Sequence, residues 1–378
     1  MLLVRSWLPS PSAWVDAFRH LLPVAQGLDV IDPLREPSDF LSDRDLEWMH
    51  LQKEDLAIPY DVTSNWPSPL LASVGPLPGA AATVLLRSRA WRLRCQHSQI
   101  LRPSGLVLHD PSNDWAGIHG RSWPLMPSRP LRGSVINLSN YGTANFYHWL
   151  YNPSLQILPL LEASGVNPDH CDALYLGPAW PDPWPSYVEE SLDLLGLAHL
   201  PRLRKPVQPQ LLYSAFRSAS GCWPSCYQWS WLRGRLSTPI NRTGRRLYVG
   251  RGSSSRRRLL NEPDLMVTLA SLGFQCLQDP ASLSFAEQRS VFAEADVIVA
   301  PHGAALTNLT FCRPGTRVLE FHNPTYLSPL YAVLASYGKL LYQGLMGSAI
   351  PNPQQPSMDD LMVDSDAVRL QLVEWGLS

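Results

Sequence analysis

The sequence predicts an α/β fold in two domains, and three observations carry that expectation. Its 378 residues exceed the size at which a single hydrophobic core usually keeps growing. From Arg246 onward, short apolar runs alternate regularly with helical stretches, the pattern of a doubly wound parallel sheet. Proline, at 36 residues, concentrates before position 240, so the N-terminal half is expected to be less regular, with long extended connections.

Taken in order, residues 1–80 carry Pro and Trp without a lasting period, although Asp43 to Lys53 reads as a short polar-faced helix. Thr83 to Arg87, Gly105 to His109 and Ser134 to Leu138 read as strands. Between Thr143 and Glu162, Phe146, Leu150, Leu155, Leu158 and Leu161 recur at nearly helical spacing across two prolines, which predicts a kinked helix. A strand at Ala173 to Gly177, a helix from Ser186 to Leu195 and a strand at Leu211 to Ser214 follow.

The second half is cleaner. It reads as strand Arg246 to Arg251, helix Glu262 to Leu272, strand Phe274 to Gln278, helix Phe285 to Ala295 and strand Val297 to Ala300. A helix from Gly303, a strand Arg317 to Phe321 and a helix Leu327 to Tyr337 complete it. These elements divide the chain into an N-terminal α/β domain (1–215), a connector (216–244), a C-terminal Rossmann-like domain (245–350) and a tail (351–378) whose amphipathic stretch from Leu361 to Trp375 is expected to pack back on the first domain.

Composition narrows the function. Hydrophobic residues make up 45% and charged ones 17%, which excludes a disordered chain. With 31 basic against 32 acidic residues no global field recruits nucleic acid or anionic lipid, so any anion site is local. The six cysteines are scattered, and Cys222 and Cys226 form the one close pair. No second Cys/His pair completes a tetrahedral metal site, so the pair is read as two thiols in a Trp/Pro-rich loop. The opening residues lack a secretory pattern, and polar residues or Pro interrupt every apolar stretch, which points to a cytoplasmic chain without a transmembrane segment.

In an open parallel sheet, ligands bind beyond the carboxyl ends of the strands. That rule selects three places. Arg251, Gly252, three serines and Arg256, Arg257 and Arg258 follow the first strand of the second half. Their guanidinium forks, hydroxyls and backbone amides match a diphosphate, although a solvated basic turn has the same composition. Pro301, His302, Gly303, Ala304 and Ala305 follow the Val297 strand, where small residues admit a ligand close to the backbone at a helix N-terminus. Taken alone, a tight turn with a hydrogen-bonded His reads at least as well. Glu320, at the end of a third strand, is placed to accept hydrogen bonds from ribose hydroxyls. In the first half, His148 lies between Tyr147 and Trp149 and is a candidate base for an acceptor hydroxyl; a core His in an aromatic cluster fits as well. Asp-x-Asp occurs at Asp43/Asp45 and Asp364/Asp366, neither at a predicted strand end, so nothing points to a metal-bound donor phosphate. No Gly-x-Gly-x-x-Gly fingerprint follows a predicted strand, against a dinucleotide oxidoreductase.

In order and spacing, Arg251 with Arg256 and Arg257, Asn261-Glu262, Phe274, the run Ser284 to Gln288, His302-Gly303-Ala304, Asn308, Phe311, Pro314-Gly315 and Glu320 resemble glycosyltransferase family 61. That family also holds plant arabinosyl- and xylosyltransferases and animal O-linked N-acetylglucosaminyltransferases. Asn145 to Trp149 is similar to the family's N-terminal aromatic-His motif, so the resemblance extends from about residue 133 to 345.

The resemblance implies a GT-B architecture, two Rossmann-like domains with a cleft between them, and an inverting glycosyltransferase that needs no metal and no cofactor beyond its nucleotide-sugar co-substrate, expected to be UDP-linked. By similarity, Arg251, Arg256, Arg257, His302, Gly303, Ala304, Asn308 and Glu320 line the donor pocket. Asn261, Glu262, Glu287 and Gln288 brace it, and His148 is the candidate base. The expected acceptor is a saccharide or glycoconjugate hydroxyl in surface or capsular polysaccharide biosynthesis, with the enzyme attached peripherally to the inner membrane through that acceptor. The alternative is a catalytically retired module that binds sugar nucleotide or polysaccharide within an assembly complex. The two differ in turnover: donor transfer or hydrolysis lost on Arg251→Ala marks the enzyme.

Overall fold

The computed structural model describes residues 28–30, 46–54, 67, 81–89, 92–93, 100–101, 107–109, 128–139, 144–151, 153–177, 183–217, 224–252, 254, 256–354 and 358–377. Cys222 and the expected connections of residues 1–27 lie outside them.

The first half holds strands β1 (Leu28–Val30), β2 (Leu46–Glu54), β3 (Ala81–Arg89), β4 (Arg92–Leu93), β5 (Ile100–Leu101), β6 (Val107–His109) and β7 (Arg129–Asn137). Helices α1 (Phe146–Tyr151) and α2 (Pro153–Ala163), strand β8 (Ala173–Tyr175), helix α3 (Ser186–Leu194) and strands β9 (Arg202–Leu203) and β10 (Val207–Arg217) follow. They build one mixed sheet in the order β1-β6-β5-β4-β10-β7-β8-β9, with β3 also paired to β10 and β2 to β3. The run β10-β7-β8-β9 is parallel.

One expectation changes here. Leu46–Glu54 is a strand rather than the helix expected over Asp43 to Lys53, paired antiparallel with β3 from Leu46↔Ser88 to Glu54↔Ala81. Cross-strand pairing overrides a weak local helical pattern, as strand formation depends on neighbours more than on intrinsic preference. Of the stretch expected as a kinked helix, Phe146–Tyr151 and Pro153–Ala163 are helical, and Asn152 lies outside the described residues.

The second half begins with α4 (Cys226–Leu236), a helix inside the expected connector, started by Ser225 accepting the Gln228 N–H at 3.1 Å. It buries Leu232 and Leu236. Cys226 is a thiol rather than half of a disulfide. Then come β11 (Arg245–Val249), α5 (Glu262–Ser271), β12 (Gln275–Leu277), α6 (Phe285–Ala293) and β13 (Ala295–Pro301). A 3₁₀ segment (Ala304–Phe311) leads to β14 (Arg317–His322), α7 (Leu330–Tyr337) and β15 (Leu341–Met346). The last elements are β16 (Ser348–Ile350), β17 (Asp360–Met362) and α8 (Ser365–Glu374).

The second sheet runs β12-β11-β13-β14-β15, every pair parallel. The chain leaves β11 for β12 on one side and then crosses to β13 on the other, so the topological switch point lies between β11 and β13. Val297 to Pro301 are buried without interruption, as a strand covered on both faces requires.

One apolar cluster joins the two sheets, from Ile136 and Trp149 through Leu232 to Phe285, Leu306 and Val318. Polar ties cross the same boundary. Tyr151 Oη and Thr310 Oγ1 lie 2.7 Å apart, Arg233 donates to the Thr310 and Cys312 carbonyls, and Glu190 accepts the Phe285 N–H at 2.6 Å. The tail differs from expectation: α8 packs on α5, with Val368 and Leu372 against Leu265 and Leu269, rather than on the first half. Asp364 caps α8 by accepting the Asp366 N–H at 2.9 Å, which ends β17 and splits the stretch expected to be one helix.

Candidate functional site

Two loops meet at the switch point. After β11 the chain turns at Gly250, where a Cβ would stand 2.8 Å from Glu262 Oε1 and 3.0 Å from the Gln278 carbonyl; only glycine lets the strand end pass between α5 and the end of β12. Glu262 is held by the Tyr248 hydroxyl, which donates at 2.7 Å. Asn261 exchanges hydrogen bonds with Val363, donating to its carbonyl at 2.7 Å and accepting from its N–H at 3.2 Å. Both residues brace the loop and do not reach into the site.

Arg251 points across to the second loop. It donates to the His302 carbonyl at 2.6 Å and to the Arg256 carbonyl at 3.2 Å, while its Nε is buried without a partner. Arg257 adopts φ 52°, a left-handed conformation uncommon for a residue with a side chain. Its guanidinium lies 4.3 Å from the Tyr326 ring centroid, and its Nε and one terminal nitrogen are buried and unpaired. Burial, and then the charge of Arg257, pull the Arg251 pKa down to about 10. Among the described residues neither guanidinium has a carboxylate partner. Two desolvated cations held together in this way create a strong local demand for an anion.

The rest of the basic run divides. Arg258 turns away and pairs with Asp360, donating from Nε at 3.0 Å and from a terminal nitrogen at 2.5 Å. Arg256 is exposed and contributes its carbonyl to the loop's internal bonds.

On the second loop, a Cβ on Gly303 would fall 2.6 Å from the Arg251 guanidinium, so glycine makes room for that contact. Ala304 and Ala305 begin a 3₁₀ segment where an α-helix was expected. A cavity of about 230 Å³ opens here, lined among others by Phe146, Tyr187, Gly250, Arg251, Asp279 and Gly303. Asn308 is wholly buried and donates to Gln288 Oε1 at 3.0 Å and to the Ala305 carbonyl at 3.1 Å. It is a strut beneath the loop, which corrects its expected place among pocket-lining residues; Gln288 itself reaches the cavity wall. Glu287 forms a capping box with Ser284 at the start of α6, and those hydrogen bonds hold its carboxyl below the ordinary range.

Glu320 is also corrected. It is fully buried, with Oε1 2.5 Å from His302 Nδ1 and Oε2 accepting from the Tyr342 hydroxyl at 2.8 Å. Both oxygens are engaged, and the side chain is fully buried and does not line the cavity, so the expected contact with ribose hydroxyls is not available here. Burial pushes its pKa up, against His322, the Tyr342 hydroxyl and Arg257. Burial, Arg257 and Arg251 together hold His302 well below the ordinary imidazole value. His302, Glu320 and His322 offer ligand atoms within 4.8 Å of one another. The 2.5 Å His302–Glu320 separation is a hydrogen bond, shorter than the roughly 3.3 Å between two ligands of a tetrahedral ion. His148 is buried on α1, its ring 5.5 Å from that of Tyr147, and does not line the cavity; its expected role as base gains no support from this position.

Asp279 was not singled out from the sequence. It follows β12, the strand beside β11, and its exposed carboxylate lines the cavity while accepting the Ala281 N–H at 3.1 Å. The rule that places an acidic residue after the second strand of a nucleotide-binding unit would have found it. Tyr342 escaped because β15 carries no clear periodic signal, and His322 because the apolar pattern of β14 stops at Phe321, one residue short of it.

A parallel doubly wound sheet whose switch point carries two partly unsatisfied arginines and a small-residue loop defines an α/β protein with a desolvated basic site at its strand ends. The family model described as Glycosyltransferase 61 matches residues 146–319, spanning α1, both site loops and the first half of β14. Over that region the chain is similar to the glycosyltransferase 61 family. A beta-1,2-xylosyltransferase of Oryza sativa subsp. japonica is 34% identical over 65 residues, covering 17% of this chain and 12% of the rice protein. The chain thus matches only a small part of that relative. Among the described residues no helix is long and apolar enough to cross a membrane.

Proposed function

We propose that this chain is an inverting glycosyltransferase that moves a sugar from a nucleotide-sugar donor, UDP-linked, to a saccharide or glycoconjugate hydroxyl. The observation that carries the reading is the pair Arg251 and Arg257, whose Nε groups, with one terminal nitrogen of Arg257, are buried with no hydrogen-bond partner among the described residues. A diphosphate would supply the missing acceptors, and the same groups would then stabilise charge developing on the leaving phosphate with fixed donors in place of a metal ion. The family match across both loops supports the same reaction class.

In this reading the nucleoside enters the cavity between Phe146 and Tyr187 on one side and Asp279 on the other, and Asp279 rather than Glu320 takes the ribose hydroxyls. The two sheets correspond to the two halves of a GT-B arrangement, drawn together by their shared core. The setting we propose is surface polysaccharide assembly in the cytoplasm, with peripheral attachment at the membrane through the acceptor.

Calorimetric titration with UDP, with and without EDTA, tests the reading. Binding unaffected by EDTA and lost in Arg251→Ala is expected. No binding to UDP or to other nucleoside diphosphates would overturn the donor site, and metal-dependent binding would overturn only the metal-free part. Binding without transfer to any of a broad set of saccharide acceptors would favour a retired binding module.

A further inference from the structure

We propose that His302, held by Glu320, is the group that takes the proton from the acceptor hydroxyl. The inference rests on the glycosyl-transfer reading above and assigns the base, for which His148 was the sequence candidate.

The argument starts from hydrogen-bond bookkeeping around one buried carboxylate. Glu320 receives His302 at Oε1 and the Tyr342 hydroxyl at Oε2. The Tyr342 oxygen lies 2.7 Å from His322 Nε2. A tyrosine hydroxyl has one proton, and if it goes to Glu320, His322 Nε2–H must donate to the tyrosine oxygen. With Glu320 ionised, His302 Nδ1–H donates to its other oxygen, and neutral His302 keeps its lone pair at Nε2. Among the described residues no hydrogen bond reaches that nitrogen.

The position suits the role. His302 belongs to the β13 turn that receives Arg251, but its ring faces the β14 side, packed at centroid distances of 4.9 Å from Tyr331 and 5.6 Å from Tyr326. The apolar cavity is walled by the end of β11, the residues after β12, Arg251 and the neighbours of His302, Pro301 and Gly303, but not by the His302 ring. A donor with its diphosphate on Arg251 and Arg257 and its nucleoside in that cavity would direct its sugar toward His302. Among the described residues, the charged and titratable groups around the ring are Arg251, Arg257, Glu320, His322, Tyr326, Tyr331 and Tyr342. Burial, with Arg257 and Arg251, keeps the imidazole unprotonated in the empty site, and the diphosphate offsets the arginines' charge when it binds.

In the step itself, the acceptor oxygen forms its bond to the anomeric carbon as its proton passes to His302 Nε2. The bond from the anomeric carbon to the phosphate oxygen breaks, its electron pair leaving with the nucleoside diphosphate. Glu320 stabilises the imidazolium, which then releases its proton to solvent. Glu320 and Tyr342 act through His302 and are positioning residues.

Two measurements test the proposal. Nitrogen–proton correlation spectra of the full chain, with isotope-labelled histidine at neutral pH, are expected to find His302 protonated at Nδ1 and bare at Nε2; an Nε2–H tautomer overturns it. Transfer is then assayed from UDP-xylose, UDP-glucose and UDP-N-acetylglucosamine. His302→Gln is expected to lower kcat by about 100-fold or more and to abolish the acid limb of the pH profile, while UDP affinity changes by less than about threefold. Glu320→Gln should lower kcat and shift the acid limb to lower pH, because an imidazolium without its carboxylate is harder to form. Retained turnover in His302→Gln, or UDP affinity falling in parallel with turnover, overturns the proposal. A wild-type chain that neither binds UDP nor transfers would sink the donor reading, and this inference with it. UDP binding with intact His302→Gln turnover would sink this inference alone.

Discussion

The Arg251 guanidinium donates to the His302 carbonyl at 2.6 Å, and this contact fastens the basic loop after β11 to the turn after β13. It fixes one cation at the switch point while leaving that side chain's Nε unpaired. The loops can therefore be tested together.

Arg251→Ala and Arg257→Ala should each weaken UDP binding by about 10- to 100-fold, matching roughly 1.5–3 kcal/mol for a hydrogen bond to a charged group. Lysine at either position should recover only part of the loss, because its single ammonium cannot reproduce a planar fork. Isothermal calorimetry of the purified variants measures both effects, and unchanged affinity in both alanine variants would remove the anion site.

Gly303→Ala introduces a Cβ 2.6 Å from the Arg251 guanidinium. The backbone there is extended, φ −175°, so alanine brings no conformational strain, and the arginine must move instead. The expected result is a chain with nearly wild-type melting temperature and reduced UDP affinity. A parallel loss of both would show that the glycine serves folding instead.

Asp360→Asn should loosen the basic loop from its far side. Asp360 is 2% exposed and accepts from Arg258 N–H and from its guanidinium, which holds its pKa below the ordinary carboxylate value. Its folded pKa is depressed, so the pairing contributes above the unfolded pKa and is lost as pH falls through the folded value, below about 3.9. At neutral pH the variant is expected to show faster proteolysis after Arg256, Arg257 and Arg258 and weaker UDP binding. Wild-type cleavage rates would argue that the tail does not order the loop.

Thermal stability should decline on acidification through the histidine range. Burial lowers the pKa of both His302 and His322, so from about 6.5 downward the unfolded chain binds more protons than the folded one, with a slope up to roughly 1.4 kcal/mol per pH unit for each histidine. Glu320, whose pKa is raised, acts with opposite sign in the window just above its unfolded value. Melting curves between neutral pH and pH of about 5.5 should fall in wild type and flatten in His322→Asn.

Ser284→Ala removes the capping box of α6 and should cost about 1 kcal/mol of stability. UDP affinity should remain unchanged, because Glu287 is engaged with Ser284 rather than with the site. Weaker UDP binding at unchanged stability would show Glu287 bracing the donor pocket, as the resemblance implied.

Much of this organisation was legible before any coordinates. Arg245–Val249, Val297 to Pro301 and Arg317–His322 are buried runs bounded by turn residues, and each appears as a strand of the second sheet. Their order placed the basic loop and the His302 turn at strand ends, where the family match now runs. The strand at Leu46–Glu54 and the helix at Cys226–Leu236 were not legible, because their local patterns are weak and partners distant in sequence decide them.

For the site, the sequence by itself determined which chemistry is present: a cluster of arginines, a small-residue loop and an acidic strand end. Only the tertiary structure decided how the charges pair. It turned Arg258 toward Asp360, left Arg251 and Arg257 facing each other, closed the Glu320 carboxylate between His302 and Tyr342, and brought Asp279 to the cavity. The physical reason is that strand ends follow from local periodicity, whereas the partner of a buried charge depends on which distant side chains the packed sheets bring within hydrogen-bond reach.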